Sequence, residues 1–213
     1  IGARSAVEAA GGRPSVGALR AITGEPLAGG RLDLLMVPRP ALLAALRAAL
    51  PGSVRVEHAE IADPAGLDAD VVVGADGVRS RVRGMVFPPA ADRVETPYVA
   101  LRGLLADDVP DEVIGEYWGP GVLFGIVPVR PGQTYWFTSH RSRLGPEPLS
   151  VPAVLAEARA RFAGAAPVVG STLAAAGPEV TATRLWTVPA LPCYARDRYV
   201  VIGDAAHAMT PNL

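Results

Sequence analysis

Two short apolar runs of the same design, far apart in the chain, most restrict what this sequence can fold into. Asp70-Val-Val-Val-Gly-Ala-Asp-Gly77 and Arg198-Tyr-Val-Val-Ile-Gly-Asp-Ala205 each place apolar residues on successive positions and then break into a glycine and a carboxylate. Successive rather than alternating apolar residues are expected of a strand covered on both faces, as in a parallel sheet flanked by helices. Two such strands so distant in sequence imply a sheet that the chain leaves and later rejoins.

The excursion between them has another texture. Residues 98–105, 113–118, 122–129 and 134–139 read as strands, divided by turn-rich breaks such as Gly119-Pro-Gly121 and Arg130-Pro-Gly132, and close turns favour antiparallel pairing. Helical spacing follows over 151–162, where Val154, Leu155, Ala158 and Phe162 share a face, and over 166–176. Ahead of the first run lie a helix tail at 4–10 ended by Gly11-Gly12, extended runs at 16–22 and 32–37, and a helix entered at Pro40. That helix carries Leu42, Leu43, Leu46 and Leu50 as one stripe, which implies packing on a sheet. Val54–His58 alternates like a half-buried strand.

Composition narrows the class further. With 23 Gly and 21 Pro among 213 residues, short elements joined by turns are expected and a coiled coil is excluded. Half the residues are hydrophobic, enough for a buried core. The net charge is −1, with every basic residue an arginine, which argues against a broad contact with nucleic acid or anionic membrane. A lone Cys193 forms no internal disulfide and fits a reducing cytoplasm; it reads as a small hydrophobe more readily than as a reactive thiol. His58, His140 and His207 lack zinc-site spacing, so no protein-built metal site is expected. The uncharged stretch 162–178 is interrupted by Gly and Pro, and no membrane span is expected. The chain opens without an initiator Met and stops in a loop-like MTPNL, so it reads as part of a longer parent.

The chemistry concentrates in the two turns. At Gly74-Ala-Asp76-Gly77 small residues allow close backbone approach, and the turn presents Asp76, Ser80 and Arg83, a place where a polyanionic cofactor could sit. Equally, Asp76 could cap a short helix and the glycines merely turn the chain. At Gly203-Asp204 a carboxylate at the end of a parallel strand can accept hydrogen bonds from sugar hydroxyls, with a following helix N-terminus open to phosphate; an N-cap aspartate is again the plainer alternative. For His207 alone a structural imidazole is the more economical reading.

Taken together, the two segments resemble the FAD-dependent aromatic hydroxylases, the flavoprotein monooxygenases of the para-hydroxybenzoate hydroxylase fold. Asp76-Gly77-Val-Arg-Ser80-Arg-Val-Arg83 is similar to that family's D-G-x-x-S-x-x-R motif, and Gly203-Asp204-Ala-Ala-His207-Ala-Met-Thr-Pro211 to its G-D motif. Val37-Pro-Arg39 resembles the R-x-x-L entry, and Leu101-Arg-Gly103 the W-R-G strand with Leu for Trp. Phe124-Gly-Ile-Val-Pro128 and Tyr135-Trp-Phe137 extend the likeness. The resemblance implies an α/β fold: part of an FAD-binding Rossmann-like layer (1–93, with early substrate-domain strands, and 191–213) interrupted by an antiparallel-sheet substrate domain with helices (94–190).

It further implies that Asp204 binds a sugar part of FAD with room given by Gly203, and that Pro211 lies beside the isoalloxazine with His207 shaping the turn. Asp76 and Gly77 would sit near the pyrophosphate side and the path of NAD(P)H, Ser80 and Arg83 would anchor that motif, and Arg39 would contact the flavin. The implied activity is hydroxylation of an aromatic or other electron-rich small molecule with NAD(P)H and dioxygen. The cofactor carries that chemistry, so no catalytic side chain is named. Trp118, Phe124, Tyr135, Trp136 and Phe137 are candidates to line the substrate chamber.

One departure is large. The family's amino-terminal Gly-x-Gly-x-x-Gly turn is absent, and Gly119-Pro-Gly121-Val-Leu-Phe-Gly125 has the wrong spacing and reads as a hairpin turn. The chain by itself is therefore expected to bind FAD weakly or not at all. A reductase or epoxidase on the same fold, or a non-catalytic remnant serving as a binding module, are the alternatives.

Overall fold

The computed structural model describes residues 2–31, 33–90, 92–145, 148–177 and 179–211. Along the chain the elements run α1 (Arg4–Ala9), β1 (Val16–Ala21), β2 (Pro26–Arg31), α2 (Arg39–Ala48), β3 (Val72–Gly74) and α3 (Arg81–Val86). Next come β4 (Val94–Leu105), β5 (Gly115–Gly119), β6 (Val122–Arg130) and β7 (Gln133–Arg141), then α4 (Val151–Arg161) and α5 (Pro167–Ala175). Last are β8 (Thr181–Thr187), β9 (Ala195–Arg196), β10 (Tyr199–Val201) and α6 (Asp204–His207). Packing divides the chain into two compact units, Ile1–Arg55 with Tyr98–Thr183 and Val56–Pro97 with Arg184–Leu213.

The first unit is built on a sheet of strand order β2-β1-β5-β6-β7-β4-β8. Its centre, β5-β6-β7-β4, is antiparallel throughout, as the close turns predict; Gly121 (φ +70°) and Gly132 (φ +71°) supply the left-handed backbone those turns need. β1 pairs parallel with β5 and antiparallel with β2. Alternation along β7 separates two faces. Trp136 and His140 are buried on the face that α4 and α5 cover, with Val154, Ala158, Phe162 and Leu173 in the same core, while Tyr135 and Phe137 stand on the other face, half-buried and stacked 5.9 Å apart.

The second unit contains the three-stranded sheet β3-β10-β9. β3 and β10 are parallel, as their shared pattern predicts, with Val72, Val73 and Gly74 opposite Tyr199, Val200 and Val201. Val72, Val201, Val82, Val86 and Ala205 close a core between this sheet and the helices α3 and α6.

Four local expectations are corrected. The extended run at 32–37 is instead β2 at Pro26–Arg31, because Gly24 (φ +110°) lets the chain reverse directly after β1; Leu32 itself lies outside the described residues. Residues 54–58 form no strand and are exposed, since alternation specifies a face and not a pairing partner. The leucine stripe forms its helix, but Leu43 is 54% exposed and Leu46 and Leu50 are also open, so the described residues supply no sheet beneath it. Likewise β3 and its flanks are covered on one face only, with Val71 and Val73 58% and 53% exposed and Ile202 open as well.

One buried pair sets the sign of the acid response. His140 is fully buried with Nε2 3.3 Å from Glu157 Oε2, and desolvation holds its pKa below the usual histidine value despite the neighbouring carboxylate. Burial pushes the Glu157 carboxyl up, but hydrogen bonding to Ser142, the pairing with His140 and a backbone bond at Arg143 outweigh it and leave its pKa lowered. Both groups therefore take up protons more readily in the unfolded chain. Their stability contribution is complete above the unfolded histidine value of about 6.5 and is lost as pH falls through it and then through the carboxylate range. Urea unfolding between pH 8 and pH 4 should show this loss, and His140→Gln should flatten the portion near pH 6.

Candidate functional site

The two acidic turns converge. Because β3 and β10 are adjacent and parallel, Asp76 and Asp204 both follow carboxyl ends of neighbouring strands, the place where open α/β sheets bind ligands. Ile202 N donates to Gly74 O at 3.0 Å and continues the pairing up to the turn. Gly203 then adopts φ +57°, ψ −143°, a conformation essentially reserved for glycine. Added to Gly203, a Cβ would meet nothing within 4 Å, so the backbone there is open to a ligand. Gly203→Ala should cost about 1–3 kcal/mol from backbone strain alone, read as a lowered urea midpoint.

Each predicted residue has a definite place. Asp76 is exposed, and its Oδ2 accepts from Arg81 N at 2.8 Å and Val82 N at 3.4 Å, so its helix-capping reading holds for that oxygen. Ser80 caps α3, its Oγ accepting from Arg83 N at 2.9 Å. Gly77 turns the chain at φ +78° with open space where a side chain would be. Arg83 is fully buried, not presented to solvent: Nη1 donates to Ala205 O and Ala206 O, both at 3.0 Å, and Nη2 donates to Pro189 O. It ties one motif to the other. Sequence reasoning assigned Arg83 to its own motif and missed this bond between them, which no spacing encodes.

Asp204 opens α6 with an exposed carboxylate that makes no hydrogen bond or ion pair among the described residues. His207 and Pro211 are exposed beyond it. Arg39 lies in the first unit, exposed at the start of α2. The residues fit the hydroxyl-bearing part of a dinucleotide: a free carboxylate to accept from sugar hydroxyls, beside a glycine without steric cover. They do not include a pyrophosphate cradle, and Gly119-Pro-Gly121 is the hairpin between β5 and β6, as expected. Among the described residues no group of His, Cys, Asp and Glu could hold a metal ion; Cys193 is exposed, and no helix is long and apolar enough to cross a membrane.

The first unit holds a cavity of about 620 Å³ over β1, β2, β5, β6 and β7. Of the five aromatic candidates, Tyr135 and Phe137 line it. Phe124 and Trp136 are instead wholly buried in the core, and Trp118 is exposed with its indole N–H donating to Glu116 at 2.9 Å. Register separates them, since neighbours along a strand point to opposite faces. Desolvation raises the Tyr135 pKa, partly offset by Arg102, so the phenol stays neutral near pH 7. Leu19, Ala28, Gly30 and Met36 also line this cavity. The glycine pair in β2 was the one available signal, a sign of close approach or open space in a strand.

No family model matches the chain. It is 33% identical over 156 residues to the aurachin C monooxygenase/isomerase of Stigmatella aurantiaca, covering 72% of this chain and 40% of that protein. It is 34% identical over 164 residues to the 2-heptyl-3-hydroxy-4(1H)-quinolone synthase of Pseudomonas aeruginosa, covering 74% and 42%. Among solved structures, Klebsiella pneumoniae HpxO complexed with FAD and uric acid superposes with a TM-score of 0.77 at 26% identity, covering 97% of this chain and 60% of that one. The chain is homologous to part of the FAD-dependent monooxygenases. Its fold is the corresponding part of the para-hydroxybenzoate hydroxylase fold, and the cofactor of the family is FAD. The chain spans about 40% of the length of the curated relatives it matches.

Proposed function

We propose that the protein containing this chain is an FAD-dependent monooxygenase that uses NAD(P)H and dioxygen to hydroxylate an aromatic or other electron-rich small molecule. The observation that carries the reading is the Asp204 carboxylate, unpaired among the described residues, beside Gly203 and just beyond a strand directly paired to the one that leads into Asp76-Gly77. When bound, FAD would supply the redox chemistry and the activation of dioxygen. Asp204 would accept hydrogen bonds from a sugar of the cofactor, and Gly203 and Gly77 would keep side chains clear of it. Asp76 would present its remaining oxygen while holding α3, and Ser80 and Arg83 would position the two turns. Arg39, His207 and Pro211 complete the proposed cofactor set. In this reading 1–93 and 191–213 belong to the FAD-binding layer and 94–190 to the substrate domain, whose cavity takes the substrate.

A lone cysteine and dependence on NAD(P)H favour a cytoplasmic location. The decisive experiment supplies labelled dioxygen to the complete protein with NAD(P)H and follows the label by mass spectrometry. One labelled oxygen atom in the organic product is expected; NAD(P)H consumption with all label in water or hydrogen peroxide would make the protein a reductase instead.

A further inference from the structure

We infer that the cavity of the first unit selects an uncharged aromatic substrate bearing an apolar tail, and that the tail lies along a glycine-lined trough between β1 and β2. The inference rests on the oxygenase reading and deepens it to a substrate class.

Size comes first. About 620 Å³ lies in the middle of the range for pockets that bury a drug-sized ligand, and a single polar ring would leave much of the wall uncovered. Charge comes second. The charged side chains in the lining are Glu116 and Arg31, of opposite sign, and Arg31 stands exposed on β2 at the sheet's edge. A carboxylate substrate would meet the Glu116 carboxylate in the wall. Arg102, on the strand beside β7, does not line the cavity; it donates to Thr183 Oγ1 at 2.8 Å and hydrogen-bonds Tyr135. The neutral Tyr135 hydroxyl and the Phe137 ring are left as the handle for an aromatic, uncharged group.

Shape places the tail. Gly17 pairs with Gly30 across β1 and β2, and Ala28 pairs with Leu19, so three of these four positions carry no side chain beyond a methyl. A Cβ added to Gly30 would meet nothing within 4 Å. The strip is therefore a shallow apolar channel in the sheet, and Leu34 and Met36 also border the cavity. Such a channel gives an alkyl chain apolar contact along its length and offers a polar substituent only the Glu116 carboxylate, opposite Leu19.

The test uses the complete protein and three probes in isothermal titration: 2-heptyl-4(1H)-quinolone, 4(1H)-quinolone itself, and 4(1H)-quinolone-2-carboxylate. The heptyl compound should bind about 200-fold more tightly than the bare ring, the effect of burying roughly four methylene groups, and the carboxylate no better than the bare ring. Gly30→Leu, or Ala28→Leu if the first fails to fold, should reduce that tail advantage below about tenfold, because the added isobutyl group occupies the trough. Equal affinity for heptyl and bare rings, tightest binding of the carboxylate, or an undiminished tail advantage in a folded variant would overturn the inference. Labelled-oxygen assays on the same preparations keep the two readings apart. Oxygen inserted into the bare or acidic ring without a tail advantage sinks the substrate class alone, whereas a tail advantage with no oxygen inserted into any probe sinks the oxygenase reading and leaves the binding class standing.

Discussion

Arg83→Met is expected to destabilise the protein by about 3 kcal/mol or more. Methionine keeps much of the length and apolar bulk of arginine, so the loss reports donors rather than a cavity. In the native protein the fully buried guanidinium, its pKa lowered by desolvation yet still charged near neutrality, serves the carbonyls of Ala205 and Ala206 from across the core and that of Pro189. Ala205 and Ala206 are themselves buried, so their carbonyls have no ready exchange with water once the donor is gone. Arg83→Lys should recover only part of the loss, because one ammonium cannot reproduce the planar fork that reaches two neighbouring carbonyls and a third segment. Urea unfolding of the three proteins at pH 7 measures this. A Met variant within 1 kcal/mol of the parent would show that α6 holds its place without the arginine.

The same residue marks where sequence reasoning stopped. Parallel pairing of β3 with β10 was legible because Val71-Val-Val73 and Tyr199-Val-Val-Ile202 share a pattern found in parallel sheets. The antiparallel order was legible because Gly119-Pro-Gly121 and Arg130-Pro-Gly132 leave room only for tight reversals. What those patterns do not encode is the identity of the covering partner. The stripe on α2 and the outer positions of β3 are apolar, yet Leu43, Leu46, Leu50, Val71 and Val73 stand exposed; periodicity states that a face is apolar and is silent on what meets it. Side-chain roles were harder still. A D-G-x-x-S-x-x-R string holds one carboxylate that caps a helix, one hydroxyl that caps the same helix and one arginine that reaches across the unit's core to α6. Only tertiary contact separates those tasks. The cavity was least legible, since its floor is made of small residues on two early strands that carry no motif.

Asp204→Ala should raise the dissociation constant of the complete protein for FAD by about 10- to 100-fold while leaving its stability within about 0.5 kcal/mol of the parent. The two halves of that expectation come from one observation. The Asp204 carboxylate has no partner among the described residues and does not cap α6, so folding gains from it little more than a favourable charge in the first turn of an exposed helix end, whereas a hydrogen bond from a sugar hydroxyl to a charged acceptor is worth more than one between neutral groups. Asp76→Ala should behave in the opposite sense, losing about 1 kcal/mol of stability because its Oδ2 holds the first N–H groups of α3. Flavin fluorescence titration beside urea unfolding distinguishes the two aspartates in one set of proteins. Unchanged FAD affinity in a folded Asp204→Ala protein would remove the sugar contact from the proposed site. Lost stability would instead make Asp204 a structural residue, and the free carboxylate could no longer be read as an acceptor kept for a ligand.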